Sequence, residues 1–310
     1  MDDIDAAEVP VGLRLRSQPE RAQAFRDAMS GPEPLLIPGV TNAALARLVE
    51  RQGFKACYAT GAGISNFSFG IPDIGLLGRQ EMADEVTRIA DSTDLPVFAD
   101  MDNGYGSPIS VMRAMHDYER GGIAAVQLED QTLPKRCGHF AGKSIVPMDE
   151  MVAKVRAAAA ARTGDTVIVA RTDAIAIEGI DAAIERARAY LRAGADVLFV
   201  EAPRSREELE LVGRTFKGVP LLANVVEGGK TPALALDEFA ELGFNIVLYA
   251  NTVMRVALRA AEEALIALQR DGGSEALTDR MFDWERRQEL VGLDRFDALE
   301  DRLRAGGTGS

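Results

Sequence analysis

Eight short apolar segments alternate along the chain with longer segments whose apolar residues recur every three or four positions. The short segments are rich in Val, Ile, Leu and Phe, and they occupy residues 35–40, 56–61, 96–102, 124–130, 167–174, 197–202, 221–226 and 246–250. Continuous apolar runs of this length are typical of parallel strands that are buried on both faces. The longer segments predict amphipathic helices over residues 42–52, 81–90, 109–120, 148–161, 180–192, 206–216 and 237–242.

This alternation predicts an α/β protein with a (β/α)₈ barrel, the TIM-barrel architecture. A doubly wound sheet is the alternative from the pattern alone, but no Gly-x-Gly-x-x-Gly follows the first predicted strand. A long helix is predicted after the eighth strand, over residues 253–270, and further helical pattern covers residues 277–304. Because a barrel is closed after eight strands, we expect these helices to pack outside it, on their own subunit or on a neighbouring one.

The pattern divides the chain into four regions. We expect an N-terminal helical extension (1–30), a catalytic barrel (31–273), C-terminal helices (274–304) and a disordered tail (305–310). The tail is mostly Gly, Thr and Ser, a composition typical of a frayed terminus.

Composition and charge exclude several classes of protein. The formal net charge of −13 over 310 residues disfavours a nucleic-acid partner, because a phosphate backbone would be repelled. Two Cys and two His are too few for a disulfide scaffold or a structural zinc cluster. No apolar run reaches 18 residues, and the acidic first residues do not resemble a signal peptide. We therefore expect a cytoplasmic protein without a membrane partner.

Charged residues follow the predicted strands at the end where a TIM barrel carries its active site. Asp100 and Asp102 end the third run, Glu129 lies at the end of the fourth, and Asp173 and Glu201 follow on the fifth and sixth. Such clustered carboxylates need a cation, and oxygen ligands suit Mg²⁺ or Mn²⁺. The spacing of Asp100 and Asp102 predicts that both point to one side of their strand. A helix cap and a solvent-facing residue would also explain this pair, but Glu129 on the neighbouring strand favours the metal.

The connection after the fourth strand contains the segment Lys135-Arg136-Cys137-Gly138-His139. We expect its basic residues to lower the pKa of the Cys137 thiol, and Gly138 to allow a tight turn. A thiol on a mobile loop above a metal site is suited to donating or accepting a proton as part of a lid. A Cys–His nucleophile pair and a basic surface loop with an incidental cysteine are the alternatives. Cys57 lies inside the second strand and is expected to be a buried core residue.

Arg171 ends the fifth strand among the carboxylates. Its guanidinium suits a salt bridge to Glu201 or Asp173, and it also suits the carboxylate of a substrate. Both interpretations stay open at this point. Residues 251–255 begin the last barrel helix, where free N–H groups would help to hold an anion. His116 lies on an amphipathic helix and is expected to be structural.

Together these segments resemble the isocitrate lyase / phosphoenolpyruvate mutase superfamily, and within it the short lyases that act on 2-methylisocitrate or 2,3-dimethylmalate. The resemblance runs from about residue 36 to residue 304. Besides the segment at 135–139 it rests on Pro72-Asp73-Ile74-Gly75, Asp100-Met101-Asp102-Asn103-Gly104-Tyr105-Gly106, Leu128-Glu129-Asp130-Gln131, Ala170-Arg171-Thr172-Asp173-Ala174 and the stretch from Asn224 to Pro232.

The resemblance implies a barrel whose terminal helix is swapped onto a partner, usually within a homotetramer. It also implies that Asp100 and Asp102 hold Mg²⁺ directly or through water, with Glu129 in support and Asp73 nearby. Mn²⁺ would be an alternative metal.

The resemblance further implies roles for residues around the substrate. Thr60, Gly61 and Ala62 would hold the carboxylate of the 2-oxoacid product, and Arg171 would contact the oxygen that becomes its carbonyl. Cys137 would protonate the second fragment after cleavage. The remaining candidates are Tyr58, which would handle the hydroxyl proton, and the substrate-pocket positions Gly138, His139, Glu201, Asn224 and Arg255.

The resemblance leads us to expect a Mg²⁺-dependent lyase that cleaves a substituted 2-hydroxy di- or tricarboxylate into a 2-oxoacid and a second carboxylate. An oxaloacetate hydrolase or decarboxylase is one alternative, and a phosphonate-type mutase similar to carboxyphosphonoenolpyruvate phosphonomutase is another. Ala250 stands where the hydrolases tend to have serine and the lyases often have proline, so it favours neither. A barrel that only binds metabolites is the non-enzyme alternative.

Overall fold

The computed structural model of the protein describes residues 9–13, 17–135 and 142–306. Eight parallel strands form a closed barrel in sequence order, and the last strand pairs with the first. They are β1 (Leu35–Val40), β2 (Cys57–Ala59), β3 (Val97–Asp100), β4 (Ala125–Glu129), β5 (Val167–Thr172), β6 (Val197–Val200), β7 (Leu221–Asn224) and β8 (Ile246–Tyr249). The predicted (β/α)₈ barrel is confirmed.

Helices connect the strands around the outside of the barrel. They are α2 (Ala43–Arg51), α3 (Gly61–Gly63), α4 (Arg79–Asp91), α5 (Pro108–Arg120), α6 (Met148–Ala161), α7 (Ile180–Ala193), α8 (Arg206–Thr215) and α9 (Leu236–Glu241). Side-chain caps fix several starts, since Asn42 accepts from Leu45 N at 3.0 Å and Ser205 accepts from Glu208 N at 3.3 Å. Their buried faces pack on the strands and form the outer layer of the core.

A helix before the barrel, α1 (Gln18–Met29), packs at the amino-terminal end of the strands. Its Phe25 and Met29 belong to the same buried cluster as Leu35 and Val167, which begin β1 and β5. The ring of Phe25 lies 5.9 Å from that of Phe98 inside the barrel. This helix therefore covers the amino-terminal end of the barrel.

Several strands are shorter than the apolar runs that predicted them. The run at 96–102 gives β3 only to Asp100, and the run at 56–61 gives β2 only from Cys57 to Ala59. At both places the strand ends before the last residue of the run that predicted it. Asp102 has a φ of 48°, a left-handed backbone that no strand contains. These early strand ends create the loops that carry the candidate site.

The C-terminal part is helical and extends beyond the barrel. It contains α10 (Thr252–Asp271), a short 3₁₀ segment (Glu275–Arg280), α11 (Trp284–Val291) and α12 (Leu293–Gly306). The continuous helical pattern predicted at 277–304 is interrupted at Gly292, whose φ is 76°. α11 packs on α2 of the same chain, where Arg51 and Glu289 form an ion pair of 2.5 Å.

The long helix α10 has little contact with the barrel. Met254 is its single buried residue, while large apolar side chains elsewhere on it are exposed, namely Val256, Leu258, Leu265, Ile266 and Leu268. Among the described residues, no helix combines the length and the hydropathy needed to cross a membrane.

Candidate active site

The end of β3 directs Asp100 into the mouth of the barrel. Its Oδ1 accepts hydrogen bonds from Asp102 N at 3.0 Å and from Gln127 Nε2 at 3.4 Å. Its carbonyl oxygen accepts from the hydroxyl of Tyr118 on α5 at 2.9 Å. Asp100 is buried, and it is held at both its backbone and its side chain.

Asp102 lies beyond the end of the strand, so the alternation that would place it beside Asp100 does not reach it. Its carboxylate contacts the ammonium of Lys135, which also lies 2.7 Å from Asp73 Oδ1. Burial raises the pKa of Asp102 to about 7, against the lowering effect of Lys135. Burial alone would lower the pKa of Lys135, but the surrounding carboxylates, Asp102 first, raise it well above its usual value. The lysine is therefore a charged, buried partner of two acids.

Arg171 at the end of β5 is surrounded by carboxylates. Its guanidinium donates to Asp173 at 2.8 and 3.1 Å and lies 3.4 Å from Glu129 and 3.6 Å from Glu201. The ring of Phe199 lies below it, 5.1 Å from ring centroid to Arg171 Cζ. Arg171 therefore makes the salt bridges that the sequence suggested, and its guanidinium lines the cavity at the same time.

A second layer of hydrogen bonds fixes the Arg171–Asp173 pair. Asp130 is fully buried and accepts from Asp173 N at 2.9 Å, from Thr172 Oγ1 at 2.8 Å and from the hydroxyl of Tyr190 at 2.7 Å. This network joins the ends of β4 and β5 to α7. Because a half-satisfied buried carboxylate is costly, we expect the network to hold both strand ends rigidly.

Tyr58 on β2 is buried, and its hydroxyl donates to Gln127 Oε1 at 3.3 Å. Burial, and after it the charge of Asp100, raises the pKa of Tyr58 well above its usual value. The phenol therefore stays protonated at neutral pH and acts as a hydrogen-bond donor in this geometry. This argues against a role as a free tyrosinate base.

The turn after β2 brings three predicted substrate residues to the barrel mouth. Thr60 Oγ1 donates to Asn251 Oδ1 at 3.1 Å and accepts from Gly63 N at 3.2 Å. A Cβ at Gly61 would lie 2.7 Å from Asp100 Oδ2, so a larger residue there would displace the Asp100 carboxylate. Thr60 and Ala62 line the cavity, while Gly61 allows the turn to pass close to Asp100.

These side chains surround a cavity of about 60 Å³ at the carboxyl ends of the strands. It brings together nine predicted site residues, which are Tyr58, Thr60, Ala62, Asp73, Asp100, Glu129, Arg171, Glu201 and Asn224. Asp102 lines a neighbouring depression of about 480 Å³ instead, so the Lys135–Asp102 pair lies at the boundary between the two spaces. Cys137, Gly138 and His139 lie outside the described residues.

Arg255 is not part of this cavity. Its Nη1 donates to Glu227 O at 3.0 Å and to Glu227 Oε2 at 3.2 Å, and about half of its side chain is exposed. This ion pair engages the Arg255 guanidinium with Glu227, and Arg255 does not line the cavity.

Sequence reasoning did not select several residues that line the cavity. They are Gln127, Phe199, Val226 and Leu248, together with Lys135, which was considered as a source of positive charge and not as a partner of Asp73 and Asp102. Gln127 carried a signal, because it is a polar residue in the middle of the otherwise apolar run of β4. No feature of the sequence indicated the contacts of Lys135, because its partners Asp73 and Asp102 lie far from it along the chain.

The donor set fits a hard divalent cation. Asp73, Asp100 and Glu129 offer only oxygen ligands, and Glu129 Oε1 is buried without a hydrogen-bond partner among the described residues. Within the part of the chain that the structure describes, no three acidic, His or Cys side chains converge into a ready-made coordination sphere. Mg²⁺ tolerates this, because it often takes one or two carboxylates and keeps several waters.

A closed barrel whose strand ends surround a cavity of carboxylates and cations has the architecture of a TIM-barrel enzyme. Comparison with known families identifies which one. Residues 25–269 match the model of the phosphoenolpyruvate phosphomutase family, and the chain belongs to that family. The expected membership of the isocitrate lyase / phosphoenolpyruvate mutase superfamily is confirmed.

Individual relatives match over nearly the whole chain. The 2,3-dimethylmalate lyase of Eubacterium barkeri is 40% identical, and the match covers 92% of this chain and 99% of the relative. The 2-methylisocitrate lyase of Shewanella oneidensis is also 40% identical, with 90% of this chain and 94% of the relative covered. These relatives make the chain a carbon–carbon lyase of the superfamily, as the sequence predicted.

Two solved structures broaden this comparison. Oxaloacetate acetylhydrolase in complex with the inhibitor 3,3-difluorooxalacetate superposes with a TM-score of 0.86 at 37% identity, covering 94% of this chain and 98% of that one. Phosphonopyruvate hydrolase in complex with oxalate and Mg²⁺ superposes with a TM-score of 0.82 at 30% identity, covering 91% and 98%. Divalent metal use is therefore a property of the superfamily, and several reactions occur within it.

Proposed function

We propose that the protein is a Mg²⁺-dependent lyase that cleaves a substituted 2-hydroxy di- or tricarboxylate of the 2-methylisocitrate or 2,3-dimethylmalate type. The products would be a 2-oxoacid and a second carboxylate. The observation that carries this proposal is the composition of the cavity. Its lining offers carboxylates for a cation, Lys135 and Arg171 as positive charge for an anion, and a group of apolar side chains beside neutral polar ones.

The apolar wall favours a branched substrate over a purely polar one. It consists of Phe199, Val226, Leu248 and Ala250. A methyl group placed against such side chains gains roughly 0.8 kcal/mol by leaving water. The wall therefore supports a substrate with an alkyl substituent, which is also what the names of the lyases at 40% identity describe.

The metal would be held by the carboxylates of the barrel mouth. Asp100, Glu129 and Asp73 line the cavity, and Asp102 lies next to it in contact with Lys135. When bound there, Mg²⁺ supplies positive charge beside the oxygens of the developing 2-oxoacid. Mn²⁺ has the same preference for oxygen ligands and would serve as a substitute.

The side chains of the chain would guide the remaining steps. Thr60, Gly61 and Ala62 would hold the 2-oxoacid carboxylate, and Arg171 would donate to the substrate oxygen that becomes the carbonyl. Glu201 and Asn224 border the same space, and Asn224 Oδ1 is buried without a partner among the described residues. Tyr58, held protonated, would orient the substrate hydroxyl as a donor.

In the cleavage step a carboxylate of the cavity would take the hydroxyl proton as a base. The electrons of the O–H bond would then form the carbon–oxygen double bond, and the carbon–carbon bond between the two fragments would break. The electron pair enters the second fragment as an enolate-like carboxylate. Cys137 would return a proton to that carbon, with Gly138 and His139 beside it in the sequence.

A substrate panel tests the proposal. The purified protein with Mg²⁺ is incubated with 2-methylisocitrate, isocitrate, 2,3-dimethylmalate, oxaloacetate and phosphonopyruvate, and release or loss of 2-oxoacid is followed. We expect 2-oxoacid release from a methyl-substituted hydroxy acid and loss of this activity when the metal is chelated. Absence of release from every hydroxy acid in the panel would contradict a lyase of this specificity.

Oxaloacetate hydrolysis is the second candidate, favoured by the likeness to oxaloacetate acetylhydrolase at 37% identity. This reaction adds water to a keto acid and needs no alkyl pocket. The two candidates separate in the panel, because a hydrolase would consume oxaloacetate and leave the methyl-substituted acids unchanged.

We further propose that the protein works as a homo-oligomer, a homotetramer with α10 packed on a second copy. The support is α10 itself, a 20-residue helix with a single buried residue and five exposed large apolar side chains. A helix gains most of its stability from packing an apolar face, so α10 requires a covering surface.

A charged substitution on α10 is expected to separate the subunits. Ile266 is 56% exposed, and Ile266→Glu would place a carboxylate in the proposed contact. Analytical ultracentrifugation should then show a smaller species than the unmodified protein. Ile109→Glu, at an exposed isoleucine on α5, is the matched control and should leave the mass unchanged. A monomeric unmodified protein, or an Ile266→Glu variant of unchanged mass, would contradict the proposed contact.

A further inference from the structure

Lys135 is a positive charge built into the acidic side of the cavity. Its side chain is 5% exposed, its ammonium lies 2.7 Å from Asp73 Oδ1, and it contacts Asp102. An ammonium group removed from water in this way is stable only when carboxylates surround it. The lysine therefore belongs to the same charged cluster as the carboxylates of the proposed metal site.

The cluster divides into two groups of acids. Asp73 and Asp102 are ion-paired with Lys135, whereas Asp100 receives hydrogen bonds from neutral groups only, Asp102 N and Gln127 Nε2. Glu129 lies 3.4 Å from Arg171 through Oε2, and its other oxygen has no hydrogen-bond partner in the described part of the chain. Asp100 and Glu129 Oε1 are therefore free of Lys135, whereas Asp73 and Asp102 share their negative charge with it.

We propose that Lys135 is a resident cation that sets the charge of this site: its single positive charge, shared by Asp73 and Asp102, offsets one of the negative charges of the acidic cluster, so that the site binds a divalent cation more weakly and an anionic ligand more strongly. The inference rests on the proposed metal site. A cluster of four carboxylates without the lysine would hold a divalent cation tightly, but it would also repel a dicarboxylate substrate. With the lysine, one of those four charges is balanced before any ligand arrives.

The position of Lys135 supports an effect on both ligands. It lines the cavity together with Asp100 and Arg171, so its charge acts inside a space largely shielded from water. Electrostatic interactions over a few ångströms are several times stronger there than at an exposed surface. A lysine that only joined two loops would influence stability and would not change two ligand affinities in opposite directions.

Lys135→Met tests this inference, because methionine keeps the length of the side chain and removes the charge. We expect the variant to bind Mn²⁺ about tenfold more tightly, measured from the electron paramagnetic resonance signal of free Mn²⁺. With saturating Mg²⁺, we expect it to bind oxalate about tenfold more weakly, measured by calorimetry. Lys135→Arg keeps the charge and should stay closer to the unmodified protein in both measurements. Lys217→Met, at an exposed lysine, controls for the change in net charge.

The outcomes are distinguishable. Tighter Mn²⁺ binding together with weaker oxalate binding in Lys135→Met alone supports the inference. Unchanged or weaker Mn²⁺ binding in a folded variant would overturn it and leave the metal site in place. If the unmodified protein binds no Mn²⁺, both the metal site and the inference fail.

Discussion

Asp100→Asn is expected to lower kcat/KM by about 10³-fold and to abolish measurable Mn²⁺ binding at the site. Asp100 is the carboxylate that enters the cavity directly from the end of a strand, and the hydrogen bonds that its Oδ1 accepts come from the neutral groups Asp102 N and Gln127 Nε2. The asparagine has nearly the same shape, and its Oδ1 can still accept from Asp102 N and Gln127 Nε2. The substitution therefore removes a charge without removing the bonds that hold the loop.

Turnover and Mn²⁺ titration measure this effect, and the thermal midpoint reports on the fold. Asp279→Asn, at an exposed aspartate in the C-terminal part, is the control for loss of one negative charge. A folded Asp100→Asn protein that binds Mn²⁺ as tightly as the unmodified protein would remove Asp100 from the metal site. The proposed mechanism would then lose its central group.

The fold could be predicted from the sequence because parallel barrel strands are buried on both faces. Each strand therefore appears as a short apolar run, and all eight runs correspond to strands. The residues at which the strands end were harder to predict. The run at 96–102 mixes strand and loop residues of similar polarity, and only the backbone conformation at Asp102 separates them.

The residues of the candidate site that lie at strand ends could be predicted from the sequence, because a barrel brings the carboxyl ends of its strands together. Glu129, Arg171 and Glu201 could be grouped because consecutive strands place them side by side. Lys135 reaches Asp73 and Asp102 through loops, and no periodicity encodes such a contact. For Arg255, the residue type suggested a contact with an anionic ligand. In the structure its guanidinium forms an ion pair with Glu227 instead.

The distribution of charge explains how an acidic protein can bind an acidic substrate. The net charge is −13, but the cavity contains two buried cations whose partners are fixed by the fold. Arg171 is balanced by Asp173 and supported by Asp130 behind it, while Lys135 is balanced by Asp73 and Asp102. Local charge at the cavity, rather than the net charge, therefore decides which ligand the site accepts.

Cys137→Ser is expected to lower kcat by about 10²- to 10⁴-fold, because a serine hydroxyl is a far weaker acid than a thiol. The proposed role of Cys137 is to protonate the fragment released by cleavage, a step that takes place after the ligand is bound. Mn²⁺ affinity and the thermal midpoint should therefore stay close to those of the unmodified protein. This combination separates an acid from a residue that merely supports the site.

The chain offers a direct chemical check of the same role. It has two cysteines, and Cys57 is fully buried in β2, where burial raises the pKa of its thiol to about 12. Iodoacetamide at neutral pH should therefore modify Cys137 and spare Cys57, because only a thiolate reacts. We expect one label per chain, inactivation in step with labelling, and protection by oxalate with Mg²⁺. Full activity in the labelled protein, or normal turnover by Cys137→Ser, would show that another group delivers the proton.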